Sequence, residues 1–86
     1  MPVKLLPHFV DRYNKLPKVI QDKVGKALGL LDENFRHPGL RSHPVKGFSG
    51  IFEAYVVDKY RVTFKRQGDL FVMRDVDNHD ECLREP

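Results

Sequence analysis

The sequence predicts an α+β domain, with two N-terminal helices packed on a small antiparallel sheet in the order β-α-α-β-β-β. Three observations lead there. Apolar residues recur at helical spacing through positions 9–35, and the period changes to two after Gly50. The chain of 86 residues holds apolar material for a single core, so one domain is expected over 1–86.

Val3-Lys4-Leu5-Leu6 has the composition of a short strand, which Pro7 ends by removing a ladder donor. Phe9, Val10, Tyr13 and Leu16 then follow a helical pattern that stops before Pro17, because a residue preceding proline is pushed out of the α region. Pro17 suits the first turn of a second helix, in which Ile20, Val24, Ala27, Leu28, Leu31 and Phe35 form the apolar stripe. Gly25 and Gly29 lie within it, and the simplest reason for two interior glycines is close approach of the helix to the sheet. His37-Pro38-Gly39 breaks the helix, and a basic loop follows with Arg36, Arg41, His43 and Lys46.

Three strands complete the pattern. Phe52, Ala54 and Val56 alternate with Glu53 and Tyr55, and Val62 and Phe64 with Arg61, Thr63 and Lys65. Leu70 to Val76 is the third, after a turn at Gly68-Asp69. A two-residue loop Asp58-Lys59 would put Glu53 and Tyr55 on the Val62 and Phe64 side, burying an acid among hydrophobes. A three-residue loop Asp58-Lys59-Tyr60 pairs Tyr55 with Thr63 and leaves one apolar face, so it is preferred. Glu53, Tyr55, Arg61, Thr63 and Lys65 then share the face away from the helices. In the last strand, Phe71 and Met73 point inward and Arg74 stands opposite Thr63.

With 41% hydrophobic and 31% charged residues, the composition excludes a disordered or fibrous chain. No apolar run reaches membrane-spanning length and the N-terminus is too brief for a signal segment, so a cytoplasmic location without membrane partners is expected. Cys82 is the single cysteine, so no internal disulfide forms, and His79, Asp80 and Cys82 are too crowded and too few to make a zinc site. Neither metal nor cofactor is expected. The net charge of +3 is uneven: positions 36–66 carry +5 and positions 67–86 carry −4. A basic block of this kind suits a polyanion such as nucleic acid.

The ordered set His37-Pro38-Gly39-Leu40-Arg41, Val45-Lys46-Gly47, Gly50-Ile51-Phe52-Glu53-Ala54, Tyr60-Arg61-Val62-Thr63-Phe64, Gly68-Asp69 and His79-Asp80-Glu81 resembles the RelE/ParE toxin superfamily. It is most similar to the RelE-like toxins of toxin–antitoxin systems. The resemblance implies a compact domain whose concave sheet face is basic, and a toxin that cuts messenger RNA in the ribosomal A site without a metal, the ribose 2′-OH being the attacking group. ParE-like members share the fold and inhibit DNA gyrase, so a binding-only protein is the alternative. Either kind is held inactive by a cognate antitoxin.

Metal-free RNA cleavage needs a base near the 2′-OH, an acid near the departing 5′-oxygen and cations on the phosphorane-like transition state. The resemblance gives Arg61, in the Tyr-Arg pair, the phosphate role, Glu53 that of general base and His79 that of catalytic acid or base. Without the resemblance, Arg61 and Glu53 read as a surface ion pair and His79 as a solvated side chain. Lys46, Arg74, Lys65 and Arg41 are expected to hold RNA phosphates, and Tyr55 to stack a base. Cys82-Leu83 stand where many RelE-like toxins carry a tyrosine. The antitoxin is expected on an apolar groove beside the first helix, at Phe9, Val10 and Tyr13.

Overall fold

The computed structural model describes residues 2–78. Strand β1 (Val3–Leu5) leads into helices α1 (Pro7–Asn14) and α2 (Lys18–Glu33), then a 3-10 turn at Pro38–Leu40. The short strand β2 (His43–Pro44) precedes a meander of β3 (Ile51–Val57), β4 (Tyr60–Gln67) and β5 (Leu70–Asn78). These strands form one sheet in the order β1-β5-β4-β3-β2. The α+β class stands as expected, with two additions. The sheet is mixed, because β1 runs parallel to β5 with Val3 opposite Phe71, and β2 adds a two-residue edge beside β3. No tight turn links β1 to β5, so nothing in their connection imposes an antiparallel arrangement.

Pro7 opens α1 at a position where its missing N–H costs nothing. Helix α2 ends at Glu33, before the expected Phe35. Asn34 adopts an extended backbone and its Oδ1 accepts from the Arg36 amide at 3.1 Å, a local bond that competes with the helix. Phe35 still reaches the core, with ring centroids 5.4 to 6.2 Å from those of Phe71, Phe52 and Phe64. Phe9, Val24, Ala27 and Leu31 from the helices meet Ala54, Val62, Phe64, Phe71, Met73 and Val76 from the sheet. Each buried side chain of Leu or Phe size contributes about 1.5–3 kcal/mol. Phe9 is therefore a core residue with no surface to offer a partner, which corrects its expected docking role; Val10 is exposed and Tyr13 half-buried.

Gly25 and Gly29 are also corrected. Both face solvent, and a Cβ built at either meets nothing within 4 Å, so close helix packing does not explain them.

The β3–β4 hairpin combines the two loops considered from sequence. Val57 pairs with Tyr60 across a two-residue loop, with Asp58 left-handed at φ 51°, while a bulge between Tyr55 and Val57 restores the parity that this loop would have inverted. Tyr55 consequently pairs with Arg61 and Glu53 with Thr63, two residues from the expected register and so on the expected faces. In β5, Phe71 and Met73 are buried as expected. A second bulge, at Arg74, puts Asp75 opposite Thr63 instead of Arg74. Beyond Met73 the outer side of β5 is taken by α1: Arg12 Nη1 lies 3.3 Å from Asp77 Oδ2, and His8 Nε2 lies 3.3 Å from the buried Asp75.

Candidate nucleic-acid interface

Two adjacent rows cross the sheet on the face away from α2. One runs His43, Glu53, Thr63, Asp75, and the next Tyr55, Arg61, Asp77. They follow from the period of two in β3 and β4, which sends alternate residues to this face.

Tyr55 is the centre of the second row. The Arg61 guanidinium lies 4.7 Å from its ring centroid and that of Arg41 5.1 Å, so two cations meet one aromatic ring. The tyrosine hydroxyl accepts from the Asp58 amide at 3.1 Å, and Arg61 Nη1 donates to the carbonyls of Asp58 and Tyr60 at 2.8 and 2.9 Å. The hairpin loop thus fixes the arginine at one nitrogen. Arg41 approaches from the end of the 3-10 turn, where its backbone is left-handed at φ 49°.

The other row holds a residue that sequence reasoning passed over. His43 Nδ1 lies 2.8 Å from the Arg41 carbonyl and Nε2 3.3 Å from Glu53 Oε1. A carbonyl only accepts, so Nδ1 carries hydrogen, and Nε2 attracts the carboxylate when a proton lies on one of the two facing atoms. His43 and Glu53 thus set an imidazole against a carboxylate across β2 and β3. Their surroundings differ sharply: the His43 side chain is 53% exposed and that of Glu53 0%. Glu53 therefore shares a face with Arg61 as expected, but as a buried group. Thr63 beside it is buried too, its Oγ1 without a hydrogen-bond partner among the described residues.

Arg41, Tyr55, Arg61 and Glu53 are thus brought together. Lys65 shares the face, exposed, about 13 Å along β4 from Arg61. Lys46 is exposed after β2, and Arg74 is half-buried in its bulge, neither in the Tyr55 cluster. His79 lies outside the described residues. Among the described residues no three His, Cys, Asp or Glu side chains converge as metal ligands. The arrangement offers fixed cations beside a histidine–carboxylate pair, suited to an anionic substrate from which a proton is taken.

No family model and no curated relative matches the sequence. Solved structures do. The chain superposes on YafQ of E. coli with a TM-score of 0.78 at 15% identity, covering 93% of this chain and 94% of YafQ. This is the RelE-like toxin fold. The YoeB dimer of Staphylococcus aureus has a TM-score of 0.75 at 13% identity, covering 92% of this chain and 97% of YoeB. The RelB–RelE antitoxin–toxin complex of Methanococcus jannaschii gives 0.73 at 17%, covering 95% of this chain and 98% of the matched chain. Within the RelE-like fold, the Tyr55 and His43 clusters occupy the sheet face left open by α2.

Proposed function

We propose that the chain is the toxin of a toxin–antitoxin module and cuts messenger RNA on the ribosome in a metal-independent reaction. The observation that supports this reading is the pair of arginines around Tyr55 beside the His43–Glu53 contact. In this reaction the ribose 2′-oxygen attacks phosphorus, its proton goes to a base, the bond to the 5′-oxygen breaks, and the departing oxygen takes a proton. Arg61 and Arg41 hold the phosphate and its transition-state charge, with Lys46, Lys65 and Arg74 as more distant contacts along the RNA. Tyr55, already flanked by cations, orients the arginines and presents its ring edge to a base.

The half-exposed His43 takes the 2′-OH proton at Nε2 once its ring turns that nitrogen from Glu53 toward the substrate. Glu53, buried behind it, positions the imidazole and balances its charge, so the general base expected at Glu53 moves one residue along the row. His79 keeps the expected role of acid to the departing oxygen. The partner is a cognate antitoxin, as in the DinJ–YafQ and RelB–RelE complexes that share the fold, and Val10 and Tyr13 on α1 are available to it. The site of action is the cytoplasm; no described helix is long and apolar enough to cross a membrane.

Purified ribosomes carrying a defined messenger RNA test the reading. Wild-type protein should cleave in the A site with EDTA present, and His43→Ala and Arg61→Ala should each lower the rate by about 10²-fold or more. A folded wild-type protein that leaves the RNA intact overturns it. Loss of DNA supercoiling in cells with translation initially unaffected favours the gyrase-inhibiting alternative.

A further inference from the structure

One stripe of α2 mixes charge with apolar surface. Lys23, Lys26, Ala27 and Leu30 recur at the i, i+3, i+4, i+7 spacing of a single helix face. All four line a cavity of about 310 Å³ between α2, the 3-10 turn and the end of β3. The turn closes it with Leu40 and the strand with Val56, so the walls facing α2 are aliphatic. Its volume falls at the lower end of the range for small-molecule sites, roughly 300–1,000 Å³.

The two lysines differ from their neighbours along the chain. Lys15 is paired with Asp11 at 3.4 Å and Lys18 with Asp22 at 3.0 Å. Lys23 and Lys26 have no carboxylate within ion-pair distance among the described residues, and no described Asp or Glu lines the cavity. His37 adds a donor from the turn. Its Nδ1 accepts from the Gly39 amide at 3.0 Å, so in the neutral ring the hydrogen sits on Nε2. The cavity therefore joins an aliphatic interior to positive charge that nothing on the described chain neutralises.

We propose that this cavity binds a small amphipathic carboxylate, its aliphatic body against Ala27, Leu30, Leu40 and Val56 and its head between Lys23 and Lys26. Residues three apart on a helix are neighbours on its surface, so both ammonium groups reach one head group. Lysines cover apolar surface with their stems while their charges stay in water, which sets the head at the mouth and the chain beneath it. A carboxylate suits the site better than a phosphate dianion, because drawing a second charge out of water beside an aliphatic lining adds a desolvation cost that half-hydrated lysines do not return. An aliphatic cation is rejected by the same lysines. The inference stands apart from the cleavage reading, which uses neither Lys23 nor Lys26; the two share only Tyr55, whose side chain also borders the cavity.

The test titrates the isotope-labelled full chain with octanoate, kept below its micelle-forming concentration. At millimolar octanoate, amide resonances of Lys23–Leu30, Leu40 and Val56 should shift, whereas acetate and octylammonium at the same concentration should leave them in place. The double variant Lys23→Gln/Lys26→Gln, both at exposed positions, should keep the native spectrum and weaken octanoate binding by about tenfold. Lys23→Glu/Lys26→Glu should reverse the preference and bind octylammonium. Four results overturn the proposal: no shift at these residues, equal shifts with acetate, equal octanoate binding by wild type and the glutamine variant, or shifts of the same midpoint at the exposed Val10, Val19 and Phe48, the mark of non-specific adsorption.

Discussion

His43 and Glu53 stand opposite each other on neighbouring strands, with Nε2 and Oε1 3.3 Å apart, one side chain half in water and the other wholly out of it. The Arg41 carbonyl holds the other imidazole nitrogen while the Arg41 guanidinium lies over Tyr55, so one residue ties the histidine to the arginine pair. The two rows of the face are mechanically one unit.

A double-mutant cycle measures the contact. His43→Ala and Glu53→Gln should each destabilise the fold, and the pair should show a coupling of about 1 kcal/mol in denaturant unfolding, since residues in direct contact do not act additively. Additive losses would remove Glu53 from its positioning role. In cleavage assays, the second substitution should add little to the loss caused by the first.

Tyr55 separates stacking from hydrogen bonding. Tyr55→Phe keeps the ring beneath both guanidinium groups and loses only the acceptor for the Asp58 amide, so it should cost about 1 kcal/mol of stability and leave RNA binding near wild type. Tyr55→Leu releases both arginines and should weaken RNA binding at fixed salt. Equal binding by the two variants would show that the ring does not organise the cations.

The glycines of α2 are a stability lever. Gly25→Ala and Gly29→Ala introduce a methyl group into open space on a helix and should each stabilise by about 0.5–1 kcal/mol, raising Tm by several degrees in a domain of this size. An unchanged or lowered Tm for both would mean that another constraint holds these positions.

Arg12 should matter more than Lys18, although both form ion pairs. Arg12 lies near two aspartates, one of them buried, whereas Lys18 and Asp22 are both exposed. Arg12→Gln should destabilise by about 1–3 kcal/mol and Lys18→Gln by less, its ion pair being fully in solvent. Thermal unfolding of the two variants checks the order.

How far the sequence discloses this arrangement depends on the length of each element. The 16 residues of α2 carry several turns of periodic pattern and are legible. The faces of β3 and β4 are legible because burying an acid among hydrophobes decides between two parities, yet the bulge at Val56 is not, since a short loop with a bulge and a longer loop without one give the same faces. β2 has two residues, too few for any period, so the placement of His43 against Glu53 leaves no trace in spacing. The burial of Glu53 is likewise invisible in a pattern that reads as alternation of apolar and polar. Arg74 was displaced from Thr63 by a bulge that nothing in Leu70–Asp75 announces.

The parallel pairing of β1 with β5 has a consequence for the chain as it is made. Synthesis delivers β1 and both helices first, but the sheet edge on which β1 rests is the last to leave the ribosome. Until then α1 lacks the strand on which it packs, and the row from His43 to Asp75 lacks its fourth member. The hairpin that carries Tyr55 and Arg61 is local and forms early, whereas the strand that completes the face closes the longest loop in the fold. A nascent chain therefore holds its arginines in place before it has a stable domain around them, and the finished surface appears only once β5 is free to pair on both sides.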